Sequence, residues 1–184
     1  MKLVILDRDG VINLDSRDYI KSEQEWQALP GSLDAIGRLH RSGYRIVVVT
    51  NQSGIARGKL NAETLAAIHQ KMLAHLSQYG GVIEAIFFCP HAPEDNCTCR
   101  KPKPGLLKEL ARRLRIRLDG VPCVGDKLSD IEAARAAGAA PILVRTGYGQ
   151  THLDAGEVPA DVPVYADLRA FADALLARAP AGKG

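Results

Sequence analysis

Two aspartates stand two residues apart in LVILDRDGV, at Asp7 and Asp9, and two more stand four apart in VGDKLSD, at Asp126 and Asp130. Carboxylates brought to one place repel one another, and a hard divalent cation relieves that repulsion; Mg2+ accepts oxygen ligands of this kind. Mg2+ with carboxylates and a nearby lysine suits phosphoryl transfer. One carboxylate can attack phosphorus to give an aspartyl phosphate. A second can protonate the leaving oxygen and then activate water. The oxygens in flight need donors, and VVVTNQSGIARG offers the Thr50 hydroxyl and a glycine-containing turn that carries Asn51, Gln52 and Ser53. Either acid pair alone reads as a polar turn, because Asp and Gly favour turns. The two pairs together carry the argument.

A second cluster has different chemistry. Cys89, His91, Cys97 and Cys99 spell C-x-H-x5-C-x-C, and three thiolates with one imidazole suit tetrahedral Zn2+. Four ligands close the shell, so a structural zinc is expected, remote from the reaction. A disulfide is disfavoured, since C-x-C neighbours bridge badly and cytosolic thiols stay reduced. The spacing and following helix of a nucleic-acid zinc finger are missing. Arg100, Lys101 and Lys103 come directly after the cluster, and the prolines of KPKPG stiffen the exit. An ordered loop here would aim Arg100 and Lys101 at substrate. Cys123 reads as a buried apolar residue; His40, His69, His75 and His152 receive no role.

The elements that must position these groups alternate. LVIL, RIVVVT, IEAIFF, VPCVG and PILVR, with a weaker VPVYA, read as buried strands. Between and after them, helical patterns fall in GSLDAIGRLHRSG, NAETLAAIHQKMLAHLSQYG, PGLLKELARRLRI, LSDIEAARAAG and LRAFADALLARA, with Asn61 as an N-cap and Gly43 and Gly80 as stops. This order predicts a three-layer α/β/α sandwich around a central, mainly parallel, Rossmann-like sheet. Asp7, Thr50, Cys89 and Asp126 then all fall at carboxyl ends of strands, the edge where open α/β sheets bind ligands. The four-residue spacing of Asp126 and Asp130 would place both on one helical face.

LDRDGVIN, VVTNQSGIARG, CRKPKPG and VGDKLSD, in that order and spanning nearly the whole chain, resemble the four motifs of the haloacid dehalogenase-like phosphatases. Within them, DRDGVIN, TNQSGIARG and the metal loop look like the enzymes that remove the 7-phosphate of D-glycero-D-manno-heptose 1,7-bisphosphate, a step toward lipopolysaccharide or S-layer sugar precursors. Histidinol-phosphate phosphatases share much of the pattern and stay open as an alternative. The resemblance implies Asp7 as nucleophile and Mg2+ ligand, and Asp9 as general acid/base that offers its carbonyl to the metal. It implies that Thr50 and Lys101 hold the phosphoryl group, that Asp126 is the third metal ligand, and that Asp130 supports them. Lys127 either touches substrate or points to solvent. Too few residues separate DRDG from the first helix for a cap domain, so the site should be open and specificity should come from loops. Asp15, Ser16, Arg17 and Asp18 are candidates for sugar and phosphate contacts, with at least two of them expected to be ordinary solvated residues. Arg100 should recognise the end of the substrate that does not react.

Composition bounds these readings. The 184 residues, 46% of them apolar, suit one domain with its own core. Aromatics are 5% and the net charge of +3 comes from no long basic run, which argues against a nucleic-acid surface and for a small phosphorylated ligand. A zinc-organised binding module without catalysis is the alternative of another class. No stretch has the apolar length to span a membrane or the form of a signal peptide, so a cytoplasmic location is expected. The chain is expected to act as a monomer on a phosphorylated sugar, and ARAPAGKG reads as a frayed tail.

Overall fold

The computed structural model describes residues 2–178, and the tail reading for 179–184 lies outside them. Six strands, β1 (Leu3–Leu6), β2 (Arg45–Asn51), β3 (Ala85–Cys89), β4 (Pro122–Gly125), β5 (Ala140–Val144) and β6 (Val164–Tyr165), form one sheet in the order β3-β2-β1-β4-β5-β6. Every pairing is parallel, with Leu3 opposite Arg45, Leu6 opposite Val124, and Asn51 opposite Cys89. The fold class expected from the strand and helix alternation is the one observed.

Side chains alternate along each strand, and both faces are covered. Val4, Leu6, Ile46 and Val48 point into a layer with helices α1 (Ser32–Arg41), α2 (Ala62–Ser77) and α6 (Leu168–Arg178). Leu3, Ile5, Val47 and Val49 point into the other, with α3 (Gly105–Leu114) and α4 (Leu128–Ala136). Burial on both faces explains why these strands are unbroken apolar runs. Helix ends follow local chemistry: the Asn61 side chain accepts from the Thr64 N–H at the start of α2, and Gly43 takes a φ of 84° just past α1.

Three local features depart from the sequence reading. A short helix, α5 (Gly149–Asp154), follows β5 where no helix is expected. The zinc loop contains a 3-10 turn at Pro93–Asp95. Asp126 and Asp130 do not share a helical face, because α4 begins only at Leu128; Asp130 instead folds back, its Oδ2 accepting from the N–H of Lys127 at 3.0 Å and of Asp126 at 3.2 Å.

Placement along the sheet matters more than these details. The strand order turns at β1, which pairs with β2 on one side and with β4 on the other. Ligands of such sheets lie beyond the carboxyl ends at that point. The 25 or so residues between β1 and α1 carry only isolated bridges, Asp9 with Asn13 and Asn13 with Ala28, so no cap domain is inserted there. Among the described residues no helix is long and apolar enough to cross a membrane.

The end of β4 leaves no room for a side chain. A Cβ at Gly125 would stand 2.2 Å from the Cβ of Asp130. Gly125→Ala should therefore displace Asp130, costing about 1–3 kcal/mol of stability as overpacking does. Thermal melting checks this; a variant of unchanged stability would show that this junction is soft.

Candidate active site and zinc loop

The turn after β1 is built by its own backbone. The Arg8 carbonyl accepts from the N–H groups of Ile12, Asn13 and Val11, and Gly10, at φ 82°, donates to the Asn13 carbonyl at 2.8 Å. Only glycine fits there: a Cβ on Gly10 would lie 2.3 Å from Asp126 Oδ2. The Thr146 hydroxyl closes the turn from β5, donating to the Gly10 carbonyl at 2.6 Å. Asp7 is thereby aimed at Asp126 and Asp130, with their carboxylate oxygens within 4.8 Å of one another.

Lys101 sits among these three carboxylates. Its ammonium lies 2.6 Å from Asp130 Oδ1 and 3.1 Å from Asp7 Oδ1, and donates to the Val49 carbonyl at 2.9 Å. Burial opposes its charge, but Asp130 and Asp7 outweigh burial and hold it above the ordinary lysine value. Asp130 is spent on Lys101 and on two backbone N–H groups, so it braces the site. Asp7 Oδ1 and Asp126 Oδ1 are buried and have no hydrogen-bond partner; Lys101 is near the first but out of line for a hydrogen bond. Burial raises both carboxyl groups above their usual range, with Asp126 pushed up to about 8. Three acids against one lysine, with two orphaned oxygens converging, fit a hard divalent cation. Asp7 and Asp126 would hold Mg2+ by those oxygens, together with the Asp9 carbonyl.

Asp9 is differently placed. Its carboxylate accepts four hydrogen bonds: from Arg8 Nε and Asn13 Nδ2 on Oδ1, both at 2.9 Å, and from Arg8 Nη2 at 3.0 Å and Gln52 Nε2 at 2.9 Å on Oδ2. Burial would raise its pKa, but the Arg8 charge and these donors carry it below the ordinary carboxylate range. Arg8, 0% exposed, and the equally buried Asn13 are absent from the sequence-derived set. An Arg between two site aspartates is the signal that could have found the first.

Above these groups lies a cavity of about 550 Å3, whose walls carry the cations Arg17, Arg100, Lys101 and Lys127. Asp15, Ser16, Asn51, Gln52 and Ser53 also reach it, whereas Asp18 does not and pairs with Lys21 and Lys59 instead. Thr50 is buried at the end of β2 and does not line the cavity; it accepts from Gln52 Nε2 at 3.1 Å. Asn51 grips the backbone of Lys101 from both sides, donating to its carbonyl at 3.0 Å and accepting from its N–H at 3.1 Å. Lys127 turns inward, 2.8 Å from Asp15 and 3.7 Å from Asp126. Its ammonium also stands 5.0 Å from the centre of the Tyr148 ring. Tyr148 was missed in the sequence: it lines the cavity and its N–H donates to Asp126 Oδ2 at 2.9 Å. Its signal was the TGYGQ turn directly after β5.

In the zinc loop, Sγ of Cys99 lies 3.2 Å from Cys89 and 3.4 Å from Cys97, and His91 Nδ1 lies 3.3 Å from Cys99 and 3.5 Å from Cys89. All four cysteines of the chain are free thiols. A tetrahedral Zn2+ with sulfurs at about 2.3 Å asks for a small spread of these donors, so the set fits that ion with no fifth position. The Arg100 N–H points at Cys97 Sγ at 3.4 Å; burial would raise the Cys97 thiol, but that N–H and the neighbouring thiols outweigh it and bring it down to about 7. Lys103 ties the loop tip, donating to the Asn96 carbonyl at 3.1 Å.

The comparisons with known proteins agree with this geometry. Residues 98–171 match a family model described as HAD-hydrolase-like. The chain is 54% identical to the D-glycero-beta-D-manno-heptose-1,7-bisphosphate 7-phosphatase of Bordetella bronchiseptica, over 97% of this chain and 100% of the relative. It belongs to that phosphatase family. The Pseudomonas putida member is 50% identical over 96% of this chain and 100% of its own. The crystal structure of the B. bronchiseptica D,D-heptose 1,7-bisphosphate phosphatase, complexed with magnesium and phosphate, superposes with a TM-score of 0.95 over 97% of this chain and 100% of that one. This heptose bisphosphate phosphatase family member therefore keeps its carboxylate cluster and its cysteine cluster on the same sheet edge, one for a hard ion and one for a soft ion.

The two metal sites should separate on purification. Metal analysis is expected to give one tightly held zinc per chain, with activity still requiring added Mg2+. Cys97→Ser should lose the zinc and, because structural zinc binds with roughly 10–16 kcal/mol in small peptides, disorder the loop and depress kcat/KM. Retention of zinc-free, fully active protein would overturn the assignment.

Proposed function

We propose that this chain is a Mg2+-dependent phosphatase that removes the 7-phosphate of D-glycero-β-D-manno-heptose 1,7-bisphosphate through a phosphoryl group on Asp7. We propose further that it acts in the cytoplasm as a monomer, with residues 1–184 as one domain. The observation that carries the reading is Asp7 itself. It has one unpartnered oxygen, lies 3.1 Å from a buried lysine, and sits beneath a cavity walled by four cations. The names of the 54% and 50% identical relatives support the substrate.

Mg2+, when bound by Asp7, Asp126 and the Asp9 carbonyl, offsets the charge of the carboxylates and polarises the phosphoryl oxygens. The chain's residues do the rest. A carboxylate oxygen of Asp7 attacks phosphorus and the bond to the sugar oxygen breaks, while Asp9 delivers a proton to that oxygen. Lys101, held by Asp130, Asn51 and the Val49 carbonyl, keeps a fixed cation beside the equatorial oxygens, where charge accumulates. Water then attacks the phosphorus of phospho-Asp7, Asp9 takes its proton, and phosphate leaves with the Asp7 carboxylate restored. The four hydrogen bonds on Asp9 favour the ionised form that this second half requires, and the proton Asp9 takes from the attacking water is the one it delivers to the leaving oxygen in the next turnover.

Arg100 and Lys101 divide the substrate between them. Lys101 is 6% exposed and belongs to the floor, whereas Arg100 is half-buried on the rim, its guanidinium donating to the His91 carbonyl at 3.3 Å. A planar guanidinium suits the second phosphate.

Phosphate release from the heptose bisphosphate, from histidinol phosphate and from a simple phosphomonoester tests the reading. Asp7→Asn should abolish turnover and leave the fold intact, and Asp9→Asn should slow it by about 10²–10⁴. Full activity in Asp7→Asn, or preference for histidinol phosphate, would reject it. Arg100→Ala should lose about 10–100-fold in kcat/KM on the bisphosphate, the equivalent of one charge-assisted hydrogen bond, and little on the monoester. Equal losses on both would assign Arg100 to the reaction itself.

A further inference from the structure

We propose that His69 is a positioning residue for the proton transfers of Asp9, acting through Arg8. The inference rests on the reading of Asp9 as general acid/base. Arg8 follows the nucleophile in the chain, but its side chain is wholly buried. One edge of its guanidinium is committed to Asp9, Nε to Oδ1 and Nη2 to Oδ2. The remaining nitrogen, Nη1, meets Nε2 of His69 at 3.2 Å. A guanidinium offers donors and no acceptor, so His69 Nε2 must be the acceptor, which fixes a neutral imidazole with its proton on Nδ1. Burial, reinforced by the adjacent Arg8 charge, keeps the ring neutral, with its pKa lowered to about 4.

His69 is itself held. It lies on α2, 9% exposed, and its ring meets that of Phe88 on β3 edge-on with centroids 6.4 Å apart. The chain of contacts therefore runs from a helix and an edge strand, through one imidazole and one planar fork, to the Asp9 carboxylate, which lines the cavity. A fork held at two points can still swing about the carboxylate; the third contact fixes its plane. Losing that contact leaves a buried donor unpaired and frees the direction of Asp9, and small misplacements of a proton-transfer group are costly.

A purely structural His69 would satisfy the same buried arginine, so the test must read proton transfer. An alkyl phosphate, here the heptose bisphosphate, needs its leaving oxygen protonated. The nitrophenolate of 4-nitrophenyl phosphate leaves without that help. We expect His69→Leu to lose about tenfold or more in kcat/KM on the alkyl phosphate, the scale of a misplaced catalytic group, and clearly less on the aryl phosphate. His69→Gln keeps an amide acceptor and should recover most of the difference. Arg8→Lys keeps the charge but loses the fork, and should show the same skew. Thermal melting is measured alongside, and if His69→Leu does not fold, His69→Gln and Arg8→Lys decide. Asp9→Asn is the control: if it shows no skew, the acid/base reading of Asp9 fails and this proposal with it. If Asp9→Asn is skewed while His69→Leu and Arg8→Lys lose equally on both substrates, or if His69→Gln falls as far as His69→Leu, His69 only fills space and the proposal alone is overturned.

Discussion

Three buried carboxylates facing one buried lysine set the terms for the rest of this molecule. Asp7, Asp126 and Asp130 converge within 4.8 Å at the turning point of the sheet, and Lys101 neutralises only part of their charge. Buried like charges are costly unless compensated, and the deficit is what makes the pocket selective for a small, hard cation. Each neighbouring feature keeps that arrangement from relaxing. Gly10 and Gly147 leave no room for side chains against Asp126, where added Cβ atoms would lie 2.3 Å and 2.1 Å from its Oδ2. Gly125 lets Asp130 close onto the end of β4.

Lys101 has to arrive at this cluster from a loop, and the loop lacks the length of helix or strand that would hold it. Its order comes from two sides. On one, Cys99 precedes Arg100 and Lys101 directly, so the four zinc donors fix the chain two residues upstream of the lysine. On the other, Asn51 at the end of β2 takes both backbone groups of Lys101. A soft-ion site and a strand end thus share the task of placing one ammonium group. This explains why a cluster of thiolates stands beside a knot of positive charge, although it touches no reacting atom.

Much of this was legible because buried parallel strands leave an unmistakable pattern. LVIL, RIVVVT and PILVR are apolar on both faces, and the polar residues after them had to lie on one edge of the sheet. The C-x-H-x5-C-x-C spacing was equally direct, since three thiols and an imidazole set so closely suit one tetrahedral ion. What was not legible depended on long-range contacts. Nothing local in DRDG says that Arg8 turns inward to meet a histidine 61 residues away, and His69 on its own looks like any helical histidine. Asp126 and Asp130 were misplaced by spacing alone: the i, i+4 rule assumes a helix, but the chain is extended at Lys127, and Asp130, inside the helix that starts at Leu128, reaches back to cap it. The TGYGQ turn hid Tyr148 because its contribution is a backbone N–H, which every non-proline residue possesses.

The absence of a cap domain shifts the burden of specificity onto loops, and loops must be stiffened to discriminate. Here charge pairs tie them to one another around the cavity. Lys127 on the α4 side holds Asp15 of the first loop at 2.8 Å, Lys59 reaches Asp18 of the same loop at 3.6 Å, and Arg57 holds Glu94 of the zinc loop at 3.0 Å. The exposed pairs are individually worth little. The value of all three is geometric: they join four segments far apart in sequence into one rim. The pair between Lys127 and Asp15 is the least exposed of the three, with side chains 33% and 17% accessible, and it sits where the rim meets buried Asp126. A substrate phosphate that draws Lys127 toward itself must loosen Asp15. Recognition at the rim and the charge balance around Asp126 are therefore linked through a single ammonium group.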